Sequence, residues 1–236
     1  MIGLSDSPAS TEPLLYLSQD CDDPMKLDQL TANEREALVK SRDWVADFPT
    51  RKVVKFGRKE AICPFVEPAI HRKTMHFAIA QLSAPNNIEA IDGELRRFAD
   101  IFNELEPTTM PAAMTKAVVV IFPETTGQFL LDATDASRDL KGDMLEAGIL
   151  VGEFFPSCPF ASTFDPKLFA LRSPVPMYVL RSFIETDWRF IAQVESWREI
   201  YRERFGEPPR DLQHLGTLRG RVLAKLDKLK SRFRSS

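Results

Sequence analysis

Ala117-Val118-Val119-Val120-Ile121-Phe122 is the stretch that decides the fold. It is apolar throughout and mostly β-branched, with no polar residue to mark a solvent face, so it reads as a central strand covered on both sides. Upstream, from Thr74 to Leu82, Met75, Phe77 and Ile79 alternate with smaller or polar residues, the pattern of a strand with one well-buried face. Between the two runs, Ile91, Leu95, Phe98, Ile101 and Leu105 recur at helical spacing. Pro85-Asn86-Asn87 breaks the chain before that helix, and a turn from Pro107 to Pro111 follows it. Strand, helix and strand in this order make one βαβ crossover, right-handed if the two strands are parallel.

Working outward, Thr31 and Glu34 have capping-box spacing, with Leu30 placed as a staple residue. They predict a helix over roughly 32–48 that puts Leu38, Trp44, Val45 and Phe48 near one face and ends at Pro49. Arg51 to Glu60 reads as a basic connector. Residues 1–28 carry Ser, Pro and Asp without periodicity and read as a flexible N-terminal arm, leaving 29–236 as a single α+β domain.

Downstream, Asp135 to Leu150 reads as a helix running into Gly152-Glu153-Phe154. Ser157 to Pro174 is a long loop rich in Phe, Pro and Ser, and loops of that length in compact domains tend to be functional or disordered. Its aromatic content argues for order. Pro176 to Arg181 predicts a short strand, Thr186 to Phe205 a helix stopped by Gly206, and 211–233 a long C-terminal amphipathic helix. That last helix spaces Leu212, Leu215, Leu218, Val222, Leu226, Leu229 and Phe233 at steps of three and four, beside a basic face. The fold expected is α+β: a small mixed sheet of about three to five strands with helices packed on it.

The 236 residues carry a formal net charge of -3, so overall charge does not suggest a nucleic-acid binder. No stretch approaches the ~20 apolar residues of a membrane span. Met1 to Asp23 holds acids and prolines rather than a basic segment followed by an apolar run, which is not the pattern of a secretory signal. Cys21, Cys63 and Cys158 are odd in number and widely spaced, and a disulfide framework is not expected. These features together point to a cytoplasmic setting.

Cys-Pro-Phe occurs twice, at Cys63-Pro64-Phe65 and Cys158-Pro159-Phe160. Proline after cysteine removes a backbone donor and sets the sulfur at a bend, where a thiolate can reach a metal such as haem iron. Arg58, Lys59, Arg72 and Lys73 would lower the Cys63 thiol pKa if they fold near it. The bland reading is a buried, inert cysteine in an apolar turn. His76 reads as a surface or hydrogen-bonded strand histidine rather than a ligand. Arg172 stands before Ser173-Pro174-Val175-Pro176, a stiff extended segment that suits recognition of a carboxylate or phosphate. The competing reading for Arg172 is a structural salt bridge to Glu153 or Asp165.

The order Cys63-Pro64-Phe65-Val66, Gly152-Glu153-Phe154 and Arg172-Ser173-Pro174-Val175-Pro176 resembles a little-studied bacterial family of unknown function, over roughly residues 35–205. More distantly, the front half resembles the YqcI/YcgG family, some of whose members are haem-dependent oxygenases acting on amino groups. That resemblance implies haem with Cys63 as its iron ligand. Phe155 and Ser182 stand where the closer family often has histidine.

Two functions are therefore expected as alternatives. One is a haem-thiolate oxidoreductase of a specialised biosynthetic pathway, oxidising a small amine or amino acid. Arg172 and Arg58 would meet propionates or a substrate carboxylate, and Phe65, Phe77, Phe154 and Phe160 would surround the iron. The other is a non-catalytic ligand- or partner-binding domain whose cysteines are structural. A homodimer through the C-terminal helix is a further expectation.

Overall fold

The computed structural model describes residues 13–55, 58–133, 138–162 and 165–210. Strands β1 (Tyr16–Leu17), β4 (Met75–Ile79), β5 (Ala117–Ile121), β6 (Ile149–Phe154) and β7 (Met177–Ser182) form one sheet in the order β1-β4-β5-β7-β6. Strands β2 (Lys52–Lys55) and β3 (Arg58–Ala61) form a separate antiparallel pair. The fold is α+β with a mixed sheet. The β4 and β5 strands pair in parallel, Phe77 opposite Val119, and helix α3 (Ile88–Glu104) connects them as the crossover.

Because side chains alternate along a strand, the sheet has two different covered faces. On the crossover face, Ala78, Val118, Val120 and Tyr178 meet Ile91, Leu95, Phe98 and Phe102 of α3, together with Leu140 and Met144 of helix α5 (Arg138–Glu146). On the other face, Met75, Phe77, Val119, Ile121 and Met177 meet Leu38 and Val45 of helix α1 (Ala32–Asp47) and Val66 and Ala69 of helix α2 (Val66–His71). Every residue of β5 is buried, as the continuous apolar run requires. Thr31 caps α1 through the box with Glu34, as its spacing predicts. Lys116 is buried just before β5, and its Nζ donates to the Phe102 and Leu105 carbonyls at 2.7 Å each. It thereby satisfies carbonyls that the end of α3 leaves open.

Four expectations are corrected. Residues 13–28 are not a loose arm: β1 pairs antiparallel with β4, Tyr16 opposite Phe77, and Tyr16, Cys21 and Leu27 are buried against the α1 face. A strand of two residues shows no periodicity, and the 3₁₀ turn after it (Ser18–Asp22) is held by polar groups, Asp20 accepting the Leu17 N–H at 2.8 Å. The basic connector 51–60 contains the β2–β3 pair, none of whose described side chains is fully buried; Val54 is 70% exposed, so its short runs carry no core-strand signature. The helix expected over Asp135 to Leu150 ends at Glu146, and the last strand of the sheet begins at Ile149. Gly148 makes the switch at φ +81°, a conformation glycine adopts without strain.

The helix expected from Thr186 to Phe205 is broken into a 3₁₀ turn (Glu185–Asp187), helix α6 (Trp188–Ile191) and helix α7 (Glu195–Phe205), with Val194 extended between them. The break brings Trp188 of α6 against Tyr201 of α7, ring centroids 5.0 Å apart. A remaining short helix, α4 (Gly127–Ala133), follows β5. The C-terminal helix expected over 211–233, and any dimer through it, lie outside the described residues. No helix among the described residues is long and apolar enough to cross a membrane.

Candidate functional site

Strand directions create the site. Since β5 is parallel to β4 and antiparallel to β7, and β7 is antiparallel to β6, the strands β4, β5 and β6 all end at one edge. In sheets with parallel strands, ligands favour the crevice outside those carboxyl ends. Here the segments converging on the edge are 80–87 after β4, 122–126 after β5, 155–160 after β6 and 172–176 before β7. Hydrogen bonds tie described parts of the long loop across it. Phe155 donates its N–H to Leu171 (3.2 Å), Ser162 to Leu168 (2.7 Å) and Phe122 to Pro176 (2.9 Å). Asn86, at φ +56°, accepts the Thr126 N–H at 2.8 Å and ties the post-β4 segment to the post-β5 segment. The loop also presses on the start of α4: a Cβ on Gly127 would lie 3.1 Å from the Ser157 hydroxyl.

Arg172 is the most defined group here. Its Nε donates to the Cys158 carbonyl at 2.9 Å, and its guanidinium carbon lies 3.7 Å from the Phe169 ring centroid. The side chain is exposed, and neither expected salt bridge forms. Glu153 pairs instead with Lys141 at 2.5 Å, and Asp165 accepts the Lys167 N–H. Among the described residues Arg172 meets no carboxylate. One face of its planar fork is held by the ring and one nitrogen by a carbonyl, which leaves the terminal nitrogens turned to whatever approaches. Behind it, Cys158 is fully buried, and burial pushes its thiol pKa up. The Thr125 hydroxyl, 4% exposed as a residue, has no hydrogen-bond partner among the described residues.

The other expected site residues lie elsewhere. Cys63 is half-buried against the α1 face, its N–H donating to the Pro49 carbonyl at 2.8 Å. Phe65 caps α2 and lies 5.6 Å from the Arg181 guanidinium, which is in register with Ala117 at the amino edge. Arg181 is already engaged by Asp187 at 2.8 and 2.5 Å. Phe77 sits at the centre of the α1 face, and Phe154 meets Trp44 edge-on there at 5.8 Å. Phe160 packs on the crossover face, alongside Cys158. Arg58 opens β3, and its side chain lies outside the described residues. The expected set is thus divided by the sheet: Cys63, Phe77 and Phe154 on one face, Phe160 and the carbonyl anchor of Arg172 on the other. The sheet separates these groups rather than gathering them around one point.

Comparison with known proteins places this chain in a family. The model of DUF6875, described as a domain of unknown function, matches residues 38–214. The chain belongs to that family. No curated protein and no solved structure matches the chain. The DUF6875 span takes in both Cys-Pro-Phe segments and the whole carboxyl edge, while β1 and the 3₁₀ turn after it precede the span.

His76 is half-buried, its Nδ1 without a hydrogen-bond partner among the described residues, and burial pulls its pKa down. It is therefore neither a surface nor a fully hydrogen-bonded histidine. Sequence reasoning missed Thr125, Asn86 and the Lys141–Glu153 pair. No spacing signals them, because each acquires its role from a segment distant in the chain.

Proposed function

We propose that this chain is a ligand-binding domain with structural cysteines, and that its carboxyl edge takes the carboxylate or phosphate of a small molecule through Arg172. The observation that carries the reading is Arg172 itself: a guanidinium held by the Phe169 ring and the Cys158 carbonyl, yet facing no acid among the described residues. An anchor ordered before binding loses little entropy when a ligand arrives. The cysteine half of the reading is supported by Cys21 and Cys158, both buried, with thiols pushed up by burial, Cys21 to about 11.

The test is calorimetric titration with inorganic phosphate, succinate and acetate, on the wild type and on Arg172→Lys. The lysine keeps the charge and loses the fork. The expected loss is about 1–3 kcal/mol, roughly 5- to 150-fold in affinity, with the thermal midpoint moving by less than ~4 °C. Normal binding with early melting would assign Arg172 to loop packing alone.

One observation favours a second reading, a haem-thiolate oxidoreductase acting on a small amine or amino acid as in the YqcI/YcgG resemblance. Among the three cysteines only Cys63 is not fully buried, and it lies on the aromatic α1 face. A Soret band on adding haem, lost in Cys63→Ala and kept in Cys158→Ala, supports this reading; no band in the wild type removes it.

A further inference from the structure

A pocket lies at the amino edge of the sheet, across it from Arg172. Its volume is about 190 Å³, and it sits between the docked N-terminal segment, α1 and the turn from α2 into β4. Leu17, Ile70 and Met75 supply an apolar lining; Asp22, Arg42 and Lys73 supply the charges. Pockets for drug-sized ligands run to about 300–1,000 Å³, so the occupant that fits here is smaller.

The charged groups are not equivalent. Arg42 is only 12% exposed and fully engaged: it reaches both Asp22 oxygens at 2.8 and 2.7 Å, the Ser18 carbonyl at 3.0 Å and Asp43 at 2.6 Å. It is a wall. Asp22 is 69% exposed and accepts one hydrogen bond from Arg42 at each oxygen, which leaves further lone pairs for a donor in the pocket. Lys73 is exposed, and its ammonium has no partner among the described residues. Its backbone stands at φ +57°, a conformation that long L side chains rarely adopt. Strain of that kind persists where the surroundings impose it and clusters at ligand sites.

We propose that this pocket binds a small α-amino acid as its zwitterion. The ligand carboxylate meets the Lys73 ammonium, the ligand ammonium meets Asp22, and a short side chain rests on Leu17, Ile70 and Met75. Arg42 and Lys73 balance Asp22 and Asp43, so the site favours a guest with both charges and no net charge. Arg172 has no part in it: the two sites lie at opposite edges of the sheet.

The experiment is calorimetric titration of the full chain with L-alanine, and with acetate and methylammonium as its two halves. Alanine is expected to bind saturably and at least about tenfold more tightly than either half. Lys73→Gly removes the ammonium and also relieves the left-handed strain. It should weaken alanine binding by about tenfold or more while the thermal midpoint holds or rises. Lys73→Arg should retain binding within about threefold, and Arg172→Lys should leave it unchanged. The proposal is overturned if alanine fails to bind, if a half binds as tightly as the whole, or if Lys73→Gly binds like wild type. It is equally overturned if Arg172→Lys, and not Lys73→Gly, abolishes alanine binding. Loss of phosphate binding in Arg172→Lys with alanine binding intact would separate the two sites.

Discussion

Replacing Tyr16 by alanine measures whether the N-terminal segment belongs to the domain. Tyr16 is 4% exposed, lies opposite Phe77 and packs in the cluster under α1. Truncating a buried aromatic ring to alanine costs about 3–5 kcal/mol, and less where the surroundings can collapse into the space. A two-residue edge strand can relax more than a central one, so the lower end, about 3 kcal/mol, is expected. For a chain of this size each kcal/mol moves the midpoint by about 2–4 °C, which gives a fall of about 6–12 °C. Tyr16→Phe is the control. The phenol oxygen is buried without a hydrogen-bond partner among the described residues, so removing it should leave stability unchanged or raise it by up to about 1 kcal/mol. Both variants are followed by circular dichroism melting and by urea titration, where an unchanged slope shows that the folded state is as compact as before. Wild-type melting of Tyr16→Ala would refute the docking of residues 13–28.

Other outcomes follow from particular positions. Gly148→Ala places a Cβ 2.5 Å from an Arg204 nitrogen at a left-handed φ; the arginine can swing away but the backbone cannot, so a loss of about 1–2 kcal/mol in urea unfolding is expected. Burial raises the Cys21 thiol pKa from 9.0 to about 11. Below pH 9 the thiol is protonated in both states and its contribution is complete; as pH rises toward 11 the unfolded chain ionises first and that stability drains away. On the order of 2–3 kcal/mol should be lost across this window in the wild type and not in Cys21→Ala, as read from urea unfolding at pH 8 and 11. At pH 8 iodoacetamide should label Cys63 in the native protein before Cys21 or Cys158, mapped by mass spectrometry; equal labelling of all three would contradict the burial of the other two.

How much was legible depended on whether the signal was local. The crossover unit was: a short, β-branched, unbroken apolar run favours a strand covered on both faces, and Ile91, Leu95 and Phe98 at helical spacing favour a helix with one buried side. Capping at Thr31 was legible too, because a capping box is complete within four residues. Strand β6 was not. Its helix-like approach through Leu145 changes conformation at one glycine, and the strand's half-covered edge position blurs its alternation.

The candidate site shows the same division. Arg172 was visible as a residue worth holding still, because prolines constrain their neighbours whatever the rest of the chain does. What it faces was not visible, nor was the separation of Cys63 from Phe160. Sequence alone determined the β4–α3–β5 crossover, the capped start of α1, strand β7 and the stiff segment before it, since backbone preference and periodic burial act between near neighbours. Only the tertiary structure decided that β1 flanks β4 at one side of the sheet, that three strands end at its carboxyl edge, and that the two Cys-Pro-Phe bends lie on opposite faces. Those are matters of strand order and direction, set by which apolar faces can be buried together across the whole chain.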